Sequence, residues 1–412
     1  MVHRWLTRTG LLLSLATISG LFGTSYGVLI PVKAPGSGSL YRVLREQKWG
    51  YMNRTGRIVI PPRFDDAGDF FDGLAAVEID GKWGYAKESG ELAIPAQFES
   101  ASKFSEQRAS VTSKGLVGVI DTRGSYVVNP QFAEVKAFSE GLAAVWIGSK
   151  TKPFGENAVL EYGGRWGFID RSGKTVVEPQ FDRVENFSEG LAGVVIGGKR
   201  DADGEIFTTG GGKWGFIDRG GKLVIPLQFD GVSSFSFGAA TVWSEAKKKS
   251  GLIDRRGTLL RPFVFESIGE FKEGLVCVEG PDGRGFMGPD GVLKIRATSW
   301  TFYDSVACFN RAAFSEGLAV VRQDRLMGFI DKNGKLSIPT QFTSAENFSE
   351  GLAAVQIGDS WGYVNRQGRL VIPAAFADAY PFVDGLALVR TGQGWSYIDS
   401  QGMVVLDNVF HY

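Results

Sequence analysis

The chain of 412 residues carries 45 basic and 45 acidic side chains, so its formal net charge is zero. Zero net charge gives no long-range attraction to nucleic acid or to an anionic membrane surface, and neither partner is expected. Only two histidines and two cysteines occur. This scarcity argues against a histidine-based zinc site and against a nucleophile activated by histidine, and it means that disulfide bonds do not build the fold.

The first 27 residues have the composition of an export signal. Arg4 and Arg8 precede an apolar run from Leu11 to Phe22, and Ser25 and Gly27 are small residues where a signal peptidase reads the chain. We predict a signal peptide at residues 1–27 and a short linker at 28–38. The protein is therefore expected to be exported, with no membrane span in the mature chain; an uncleaved anchor is the alternative.

Residues 39–412 form one array of ten repeated units and leave no room for a separate domain. The units begin at Ser39, Gly73, Gln107, Gly141, Gly190, Gly238, Gly274, Gly317, Gly351 and Gly385. The basic spacing is 34 residues, and the longer spacings are insertions.

One unit predicts a meander of three antiparallel strands. In the ninth unit, residues 351–357, 361–365 and 369–372 have strand composition and are separated by short turns. The second turn has the form Asp170 to Gly173, in which the leading Asp accepts backbone hydrogen bonds and the glycine takes positive φ. Proline then follows the third strand in most units and is expected to end it.

Aromatic residues recur at fixed positions and predict a core shared by neighbouring units. Two sets of phenylalanines are expected to be buried: Phe64, Phe98, Phe132, Phe181, Phe229, Phe265, Phe342, Phe376 and Phe410, and Phe70, Phe104, Phe138, Phe187, Phe235, Phe271, Phe314, Phe348 and Phe382. The tryptophans of the repeat are also expected to pack, since aliphatic residues replace them in some units. The alternative is a partly exposed aromatic stripe that stacks on sugars or peptides.

An acidic residue precedes the start of most units. These residues are Asp72, Glu106, Glu140, Glu189, Glu273, Glu316, Glu350 and Asp384. In a regular array they line one edge, either as a solvated turn face or as an acidic binding rim or row of cation sites.

The two cysteines, Cys277 and Cys308, lie in the same long unit. We expect two separately buried thiols, with a single local disulfide as the alternative.

Three insertions interrupt the array, and insertions on one side of a repeat array commonly carry specificity. The first two, roughly 148–164 and 197–212, follow the first strand of consecutive units, so their tips are expected to emerge side by side; the third is near 297–311. The candidate interaction residues are Phe154 and Tyr162 in the first insertion, Asp201, Asp203 and Phe207 in the second, and Trp300, Phe302 and Tyr303 in the third. The run from Asp201 to Glu205 resembles a fragment of a calcium loop but lacks the later ligands, so no metal or cofactor is expected.

Phrases such as Lys213-Trp214-Gly215-Phe216 and Phe348-Ser349-Glu350-Gly351 resemble the bacterial WG-repeat (KWG) proteins. The resemblance covers nearly all of the chain after the signal. It implies an exported or multidomain bacterial protein without a defined activity.

The expected fold is all-β, with tandem three-stranded meanders forming an open or curled solenoid. A closed propeller-like ring is the alternative, since three strands in 34 residues are few for a propeller blade. The expected function is a non-enzymatic exported scaffold that binds protein in the cell envelope. The alternative is a module that binds glycan or cell wall.

Overall fold

A computed structural model describes residues 38–148, 150–154, 158–197, 212–302 and 313–409, with the backbone alone in 150–154 and 158–162. The predicted signal peptide at 1–27 and nearly all of the linker lie outside the described residues. The described chain contains forty strands and no helix, so the predicted all-β class is confirmed. Every strand pairing is antiparallel, and the strands form ten repeated sheets plus one separate hairpin.

The repeated sheets are numbered here as blades 1 to 10 in chain order. Blade 1 contains β1 Tyr41–Arg45, β2 Lys48–Met52 and β3 Ile58–Phe64, and blade 2 contains β4 Asp66–Phe71, β5 Leu74–Ile79, β6 Lys82–Lys87 and β7 Leu92–Phe98. Blade 3 contains β8 Ser100–Ala101, β9 Arg108–Ser113, β10 Leu116–Asp121 and β11 Tyr126–Phe132. Blade 4 contains β12 Glu134–Val135, β13 Leu142–Ile147, β16 Arg165–Asp170 and β17 Thr175–Phe181, and its inserted hairpin is β14 Lys150–Phe154 with β15 Ala158–Tyr162. Blade 5 contains β18 Arg183–Val184, β19 Leu191–Ile196, β20 Lys213–Asp218 and β21 Leu223–Phe229.

The second half of the chain repeats this arrangement. Blade 6 contains β22 Gly231–Val232, β23 Ala239–Ser244, β24 Lys249–Asp254 and β25 Leu259–Phe265, and blade 7 contains β26 Ser267–Ile268, β27 Val276–Gly280, β28 Gly283–Met287 and β29 Leu293–Arg296. Blade 8 contains β30 Leu318–Gln323, β31 Leu326–Asp331 and β32 Leu336–Phe342. Blade 9 contains β33 Ser344–Ala345, β34 Leu352–Ile357, β35 Ser360–Asn365 and β36 Leu370–Phe376, and blade 10 contains β37 Asp378–Ala379, β38 Leu386–Thr391, β39 Gly394–Asp399 and β40 Val404–Leu406.

A fourth strand completes eight of the ten blades. It lies between the two recurrent phenylalanines, usually spans two residues, and pairs with the first long strand of the next unit. In blade 5, Arg183 and Val184 pair in this way with Val195 and Val194. The 34-residue unit therefore supplies the four strands of a propeller blade, one more than the expected three-stranded meander.

The two ends of the described chain join, so the array is a closed ring of ten blades. The backbone N–H of Leu44, in the first strand of blade 1, donates to the carbonyl oxygen of Val409 at 2.7 Å. Arg45 donates from Nη2 to the carbonyl oxygen of Asp407 at 3.1 Å. The prediction of an open or curled solenoid is therefore wrong, and its stated alternative, a propeller-like ring, is confirmed. The physical reason is that blade 1 begins with an unpaired strand edge, which the end of the chain satisfies.

A buried cluster crosses the same closure. Tyr41 and Val43 of blade 1 pack with Leu386 and Tyr397 of blade 10, and the rings of Tyr41 and Tyr397 lie 5.5 Å apart. The Tyr41 hydroxyl also donates to the carbonyl oxygen of Asp384 at 2.6 Å. The ring is thus closed by apolar packing as well as by backbone pairing.

The recurrent phenylalanines form the core as predicted. All of them are buried except Phe410, which lies outside the described residues. One set packs edge-on against the aromatic residue two places after the repeat tryptophan: the ring centroids of Phe168 and Phe187 are 4.9 Å apart, and those of Phe216 and Phe235 are 4.8 Å apart. This contact joins each blade to the start of the next and supplies much of the buried apolar area.

The third strand continues through its proline, contrary to the sequence expectation. In blade 9 it runs from Leu370 to Phe376 and includes Pro373. The reason is that this strand lies at the edge of its sheet, where a missing N–H costs little, and that its register shifts opposite Gly362. A Cβ on Gly362 would lie 2.6 Å from the carbonyl oxygen of Ile372, which explains why glycine follows the tryptophan.

Cys277 is buried and forms a disulfide bond. The expectation of two separate thiols is therefore wrong for Cys277, and the alternative of a disulfide applies. The only other cysteine of the chain, Cys308, lies outside the described residues. The physical reason for the error is that Cys277 occupies a buried strand position that other units fill with a small residue. A free thiol and a disulfide-bonded cysteine both fit such a position, so the sequence pattern does not distinguish them.

Candidate functional site

The ring has two rims with different chemistry. The acid rim contains the turns with the recurrent acids, such as Glu140, and the turns of the form Asp170 to Gly173. The insertion rim contains the turns between the first and second long strands, where residues 148–164 and 197–212 are inserted. The crossings from one blade to the next also lie at the insertion rim, since each third strand ends there.

On the acid rim the carboxylates hold neighbouring blades together. The Glu140 carboxylate accepts the backbone N–H of Gly190 in the next unit at 2.9 Å, and the Ser139 hydroxyl donates to the carbonyl oxygen of Phe187 at 2.8 Å. The same carboxylate bond, with distances from 2.7 to 3.1 Å, joins Asp72 to Gln107, Glu106 to Gly141, Glu189 to Gly238, Glu273 to Gly317, Glu316 to Gly351 and Glu350 to Gly385.

These bonds give the recurrent acids a structural role that the readings of the acidic row, a solvated face or a binding rim or cation row, did not include. Glu140 has a φ of 53° and is followed by Gly141 at 80°, so the turn is of the tight hairpin type that needs two positive φ angles. The carboxylate bond to the next blade stabilises a backbone conformation that a non-glycine residue rarely adopts. Among the residues that the structure describes, no group of three or more His, Cys, Asp or Glu could hold a metal ion.

The described part of the third insertion belongs to the core. Trp300 is 8% exposed and Phe302 is 4% exposed. Their rings pack against Phe286, with the Phe302 centroid at 5.4 Å. Thr301, between them, forms a β-bridge with Arg322 in the first strand of blade 8.

The start of this insertion thus takes the place of the fourth strand in a blade that otherwise has three. Trp300 and Phe302 were selected as interaction residues, but their rings are buried. The reason is that Thr301 between them pairs with the edge strand of blade 8. Tyr303 lies outside the described residues.

The first two insertions emerge from adjacent blades on the insertion rim. The first forms the hairpin β14–β15, whose backbone includes Phe154 and Tyr162. Asp201, Asp203 and Phe207 of the second insertion lie outside the described residues. The selection of these five residues stays a prediction.

A cleft of about 300 Å³ lies between blades 5 and 6. We call it the tryptophan cleft. Its wall includes Arg183, Trp214, Asp230, Gly231, Trp243 and Glu245. Trp214 stands one residue into β20, directly after the second insertion, and Glu245 begins the corresponding turn of blade 6. The cleft therefore opens on the insertion rim.

Three departures from the repeat in blade 6 create this cleft. Gly231 stands where the other short strands have side chains, namely Asp66, Ser100, Glu134, Arg183, Ser267, Ser344 and Asp378. Ser250 occupies the position of the repeat tryptophan, and Trp243 lies directly opposite it on the paired strand. Blade 6 therefore has its tryptophan on the first long strand instead of the second, and Gly231 leaves the adjacent position of the short strand without a side chain.

Blade 6 also departs from the repeat on the acid rim. Phe237 stands where the other junctions have an acid, is 51% exposed and has a φ of 54°. A phenylalanine with positive φ is an unusual, strained residue. Blade 6 is therefore the place where both rims lose the regularity of the ring.

The two carboxylates of the cleft are held by lysines and hydrogen bonds. Asp230 accepts a hydrogen bond from Lys213 and the backbone N–H of Glu245, the latter at 2.9 Å. Partial burial acts to raise the pKa of Asp230, but the two hydrogen bonds outweigh it and hold the pKa below its usual value. Hydrogen bonds from Lys248 and from Nε1 of Trp243 lower the pKa of Glu245. Both groups are therefore anionic at neutral pH and already have partners.

Sequence reasoning missed this cleft because it treated the repeat tryptophans as one set. Trp166 and Trp214 are buried as predicted, whereas Trp49, Trp83, Trp361 and Trp395 are half-buried, as the alternative of a partly exposed stripe expects. One signal in the sequence could have predicted the cleft. In this unit Ser250 replaces the repeat tryptophan and Trp243 stands at the position paired with it, so the side chains at the surface differ from those of the other units.

The geometry defines a closed ring of repeated blades whose insertion rim carries an added hairpin and a cleft. The family model for the WG containing repeat matches residues 49–83, 83–116, 118–150, 166–199, 214–242, 251–279, 327–360 and 361–395. These segments cover more than half of the chain. The chain therefore belongs to the WG-repeat family, as the sequence analysis predicted.

No curated protein matches the chain. Among solved structures, it is similar to a crystal structure of the eukaryotic initiation factor, with 12% identity, a TM-score of 0.45, and coverage of 89% of this chain and 94% of the other. It is also similar to Hsv2 of Kluyveromyces marxianus, with 12% identity, a TM-score of 0.27, and coverage of 80% and 94%. The extracellular domain of a hybrid two-component system of B. thetaiotaomicron has 11% identity, a TM-score of 0.25, and coverage of 88% and 55%.

Within the described ranges, no helix is long and apolar enough to cross a membrane.

Proposed function

We propose that this protein is an exported, non-enzymatic scaffold that binds a partner protein through its insertion rim. The observation that carries the proposal is the difference between the two rims. On the acid rim the recurrent carboxylates are occupied by bonds between blades, as at Glu140 and Gly190. The insertion rim instead carries an added hairpin and a cleft, and irregular loops on a rigid ring are suited to recognition.

The non-enzymatic part of the proposal is supported by the state of the cleft's titratable groups. Asp230 and Glu245 are each bonded to a lysine, which disfavours the neutral acid that a general-acid role requires. The two histidines of the chain, His3 and His411, both lie outside the described residues.

Export is supported by the composition of residues 1–27 and by the disulfide bond of Cys277. Disulfide bonds persist in oxidising compartments such as the bacterial periplasm and the cell surface, and are rare in the cytosol. Mass analysis of the amino terminus of the secreted or periplasmic protein would test this. An intact residue 1 in a cytoplasmic fraction would contradict export.

The binding proposal is tested by affinity capture from envelope extract with the wild-type protein and a variant lacking residues 198–211. A partner that is retained by wild type and lost by the variant is the expected result. A variant lacking residues 155–157 of the first insertion measures whether both insertions contribute. Equal capture by all three proteins would contradict binding at the insertion rim.

A glycan-binding role is the second candidate, and the tryptophan cleft is the observation that favours it. Trp243 is only half-buried and lines a cavity with polar groups at its edge, which is the usual composition of a small-molecule site. Retention on purified peptidoglycan by the wild type and by the 198–211 deletion alike would favour this role over the protein scaffold.

A further inference from the structure

The described part of the chain contains four contacts between a cation and a tryptophan ring. They join Arg42 to Trp49, Lys136 to Trp166, Arg183 to Trp214 and Arg390 to Trp395, at distances of 5.1 to 6.0 Å. Each places a positive charge over a ring face, where the attraction is of the cation–π type. The four contacts differ in what else the cation binds.

Three of the cations have a protein acceptor. Arg42 donates to the carbonyl oxygen of Ala67 at 3.2 Å, Lys136 donates to the carbonyl oxygen of Val184 at 2.8 Å, and Arg390 forms an ion pair with Asp378 at 2.6 Å. These three cations therefore donate hydrogen bonds to other residues of the protein.

Arg183 is the exception. No hydrogen bond or ion pair from its guanidinium to another described residue is formed. The comparison with Arg390 gives the reason: Arg390 is paired across the sheet with Asp378, whereas Arg183 is paired with Val195, which has no acceptor. The guanidinium of Arg183 therefore lies at the cleft with its planar set of donors available.

The charge state of the cleft selects an anionic ligand. Its carboxylates, Asp230 and Glu245, are bonded to Lys213 and Lys248. The remaining uncommitted charge is that of Arg183. A guanidinium binds a carboxylate through two parallel hydrogen bonds, which adds geometric selectivity to the attraction.

The size and walls of the cleft select a sugar ring. Its volume of about 300 Å³ is at the lower limit of small-molecule sites and suits one pyranose. The half-buried ring of Trp243 offers an apolar face for the C–H groups of a sugar, and Gly231 beside it leaves the approach open.

We propose that the tryptophan cleft binds a carboxylated sugar residue of an oligosaccharide, with its ring against Trp243 and its carboxylate on Arg183. The carboxylate can belong to a hexuronic acid or to a lactyl ether on an amino sugar. The inference rests on the glycan-binding candidate function and specifies its ligand.

The test is calorimetric titration of the mature full-length chain with four ligands. Tetragalacturonate is compared with its methyl ester, and a disaccharide containing N-acetylmuramic acid is compared with one containing only N-acetylglucosamine. We expect one of the two acidic ligands to bind at least tenfold more tightly than its neutral counterpart. The pair that shows the difference identifies the source of the carboxylate.

Two variants and a matched control locate the site. Arg183→Gln is expected to remove the preference for the acidic ligand, and Trp243→Phe, which keeps an aromatic packing group, is expected to weaken binding at least threefold. Arg390→Gln, which removes a cation–π contact with Trp395 in blade 10 and away from the cleft, is expected to leave binding unchanged. Equal thermal melting temperatures of the wild type and variants exclude unfolding as the cause.

Each other outcome overturns a distinct claim. Equal binding of acidic and neutral ligands would leave the glycan role standing and overturn the inference about the carboxylate. Preference for acid that survives Arg183→Gln would overturn the assignment to the cleft. Binding of none of the four would overturn the carboxylated sugar, while the protein-capture experiment tests the scaffold separately.

Discussion

At the scale of single residues, the recurrent turn glycine satisfies two requirements at once. Gly124 has a φ of 82°, and a Cβ at this position would lie 2.9 Å from Cγ2 of Ile94 in the preceding blade. The first requirement, positive φ, follows from the type of turn and could be predicted from the sequence. The second, the close approach of two blades, depends on how units stack.

The two requirements can be separated by substitution. Gly115 has a φ of 74° but no atom within 4 Å of its hypothetical Cβ, so Gly115→Ala measures the backbone cost alone. We expect Gly124→Ala to lower the free energy of unfolding by about 1–3 kcal/mol more than Gly115→Ala, because overpacking adds to the backbone strain. Urea denaturation checks this, and equal losses would mean that the blades do not meet at Gly124.

The leading Asp of the same turn makes stability depend on pH. Asp170 accepts the hydroxyl and N–H of Ser172 and the N–H of Lys174. The hydrogen bond from the Ser172 hydroxyl, which outweighs partial burial, together with the backbone bonds lowers the pKa of this carboxyl. Because the folded-state pKa is depressed, its contribution is present above the unfolded-state pKa and is lost as pH falls through the folded-state pKa.

Asp170→Asn is the informative variant, since Asn53 makes the same turn bonds in blade 1 through its amide oxygen. We expect this variant to keep most of the stability at neutral pH and to lose less than the wild type on acidification. Asp170→Ala is expected to be less stable at neutral pH as well. Thermal melting at a series of pH values from neutral to strongly acidic measures both effects. Parallel profiles for wild type and Asp170→Asn would contradict the role of the carboxylate charge.

At the scale of elements, the bond between adjacent blades at the acid rim is the repeated connection. The carboxylate of Glu140 accepts the N–H of Gly190. We expect Glu140→Ala to lower the free energy of unfolding by about 1–2 kcal/mol, because Gly190 loses its acceptor. Glu140→Gln keeps an acceptor oxygen and is expected to cost less.

Calcium provides the control for this prediction. If the acids serve as bonds between blades, millimolar calcium leaves the melting temperature of the wild type unchanged. A rise in melting temperature with calcium that Glu140→Gln abolishes would support the cation row and contradict the present account.

The elements differ in how far the sequence could predict them. The long strands and their turns were predictable because alternation and turn residues are local signals, as in Leu352–Ile357 and Ser360–Asn365. The two-residue strands, such as Arg183–Val184, have too few residues to show a period. The third strand was cut short at its proline because the edge position of that strand depends on the sheet order.

The candidate site was predictable only in part, for related reasons. The insertion rim could be predicted because the first two insertions follow the same strand in consecutive repeats. Trp300 and Phe302 were misjudged because the empty sheet edge of blade 8, which draws them into the core, lies in another unit. The tryptophan cleft needs Trp214 of one blade and Trp243 of the next, and only the stacking of blades brings them together.

At the scale of the whole molecule, closure determines which surfaces exist. An open solenoid would expose the first and last blades, whereas the ring covers them and leaves the two rims and the outer edge for interaction. The contact between blade 1 and blade 10 repeats the geometry of the other interfaces: a Cβ on Gly56 would meet the carbonyl oxygen of Val405, just as one on Gly124 meets Ile94. The end of the chain therefore completes the same series of contacts.

The most direct test of closure is the distance between spin labels on Arg57→Cys and Val404→Cys, measured by double electron–electron resonance. Both positions are exposed and flank the contact of Gly56 with Val405. A second pair, Arg57→Cys with Leu259→Cys, places one label in blade 6 as the long-distance reference. The closed ring predicts a short, narrow distribution for the first pair and a longer one for the second. An open array of ten sheets stacked about 10 Å apart would separate the first pair by about 90 Å, farther than the reference pair, and that result would contradict the ring.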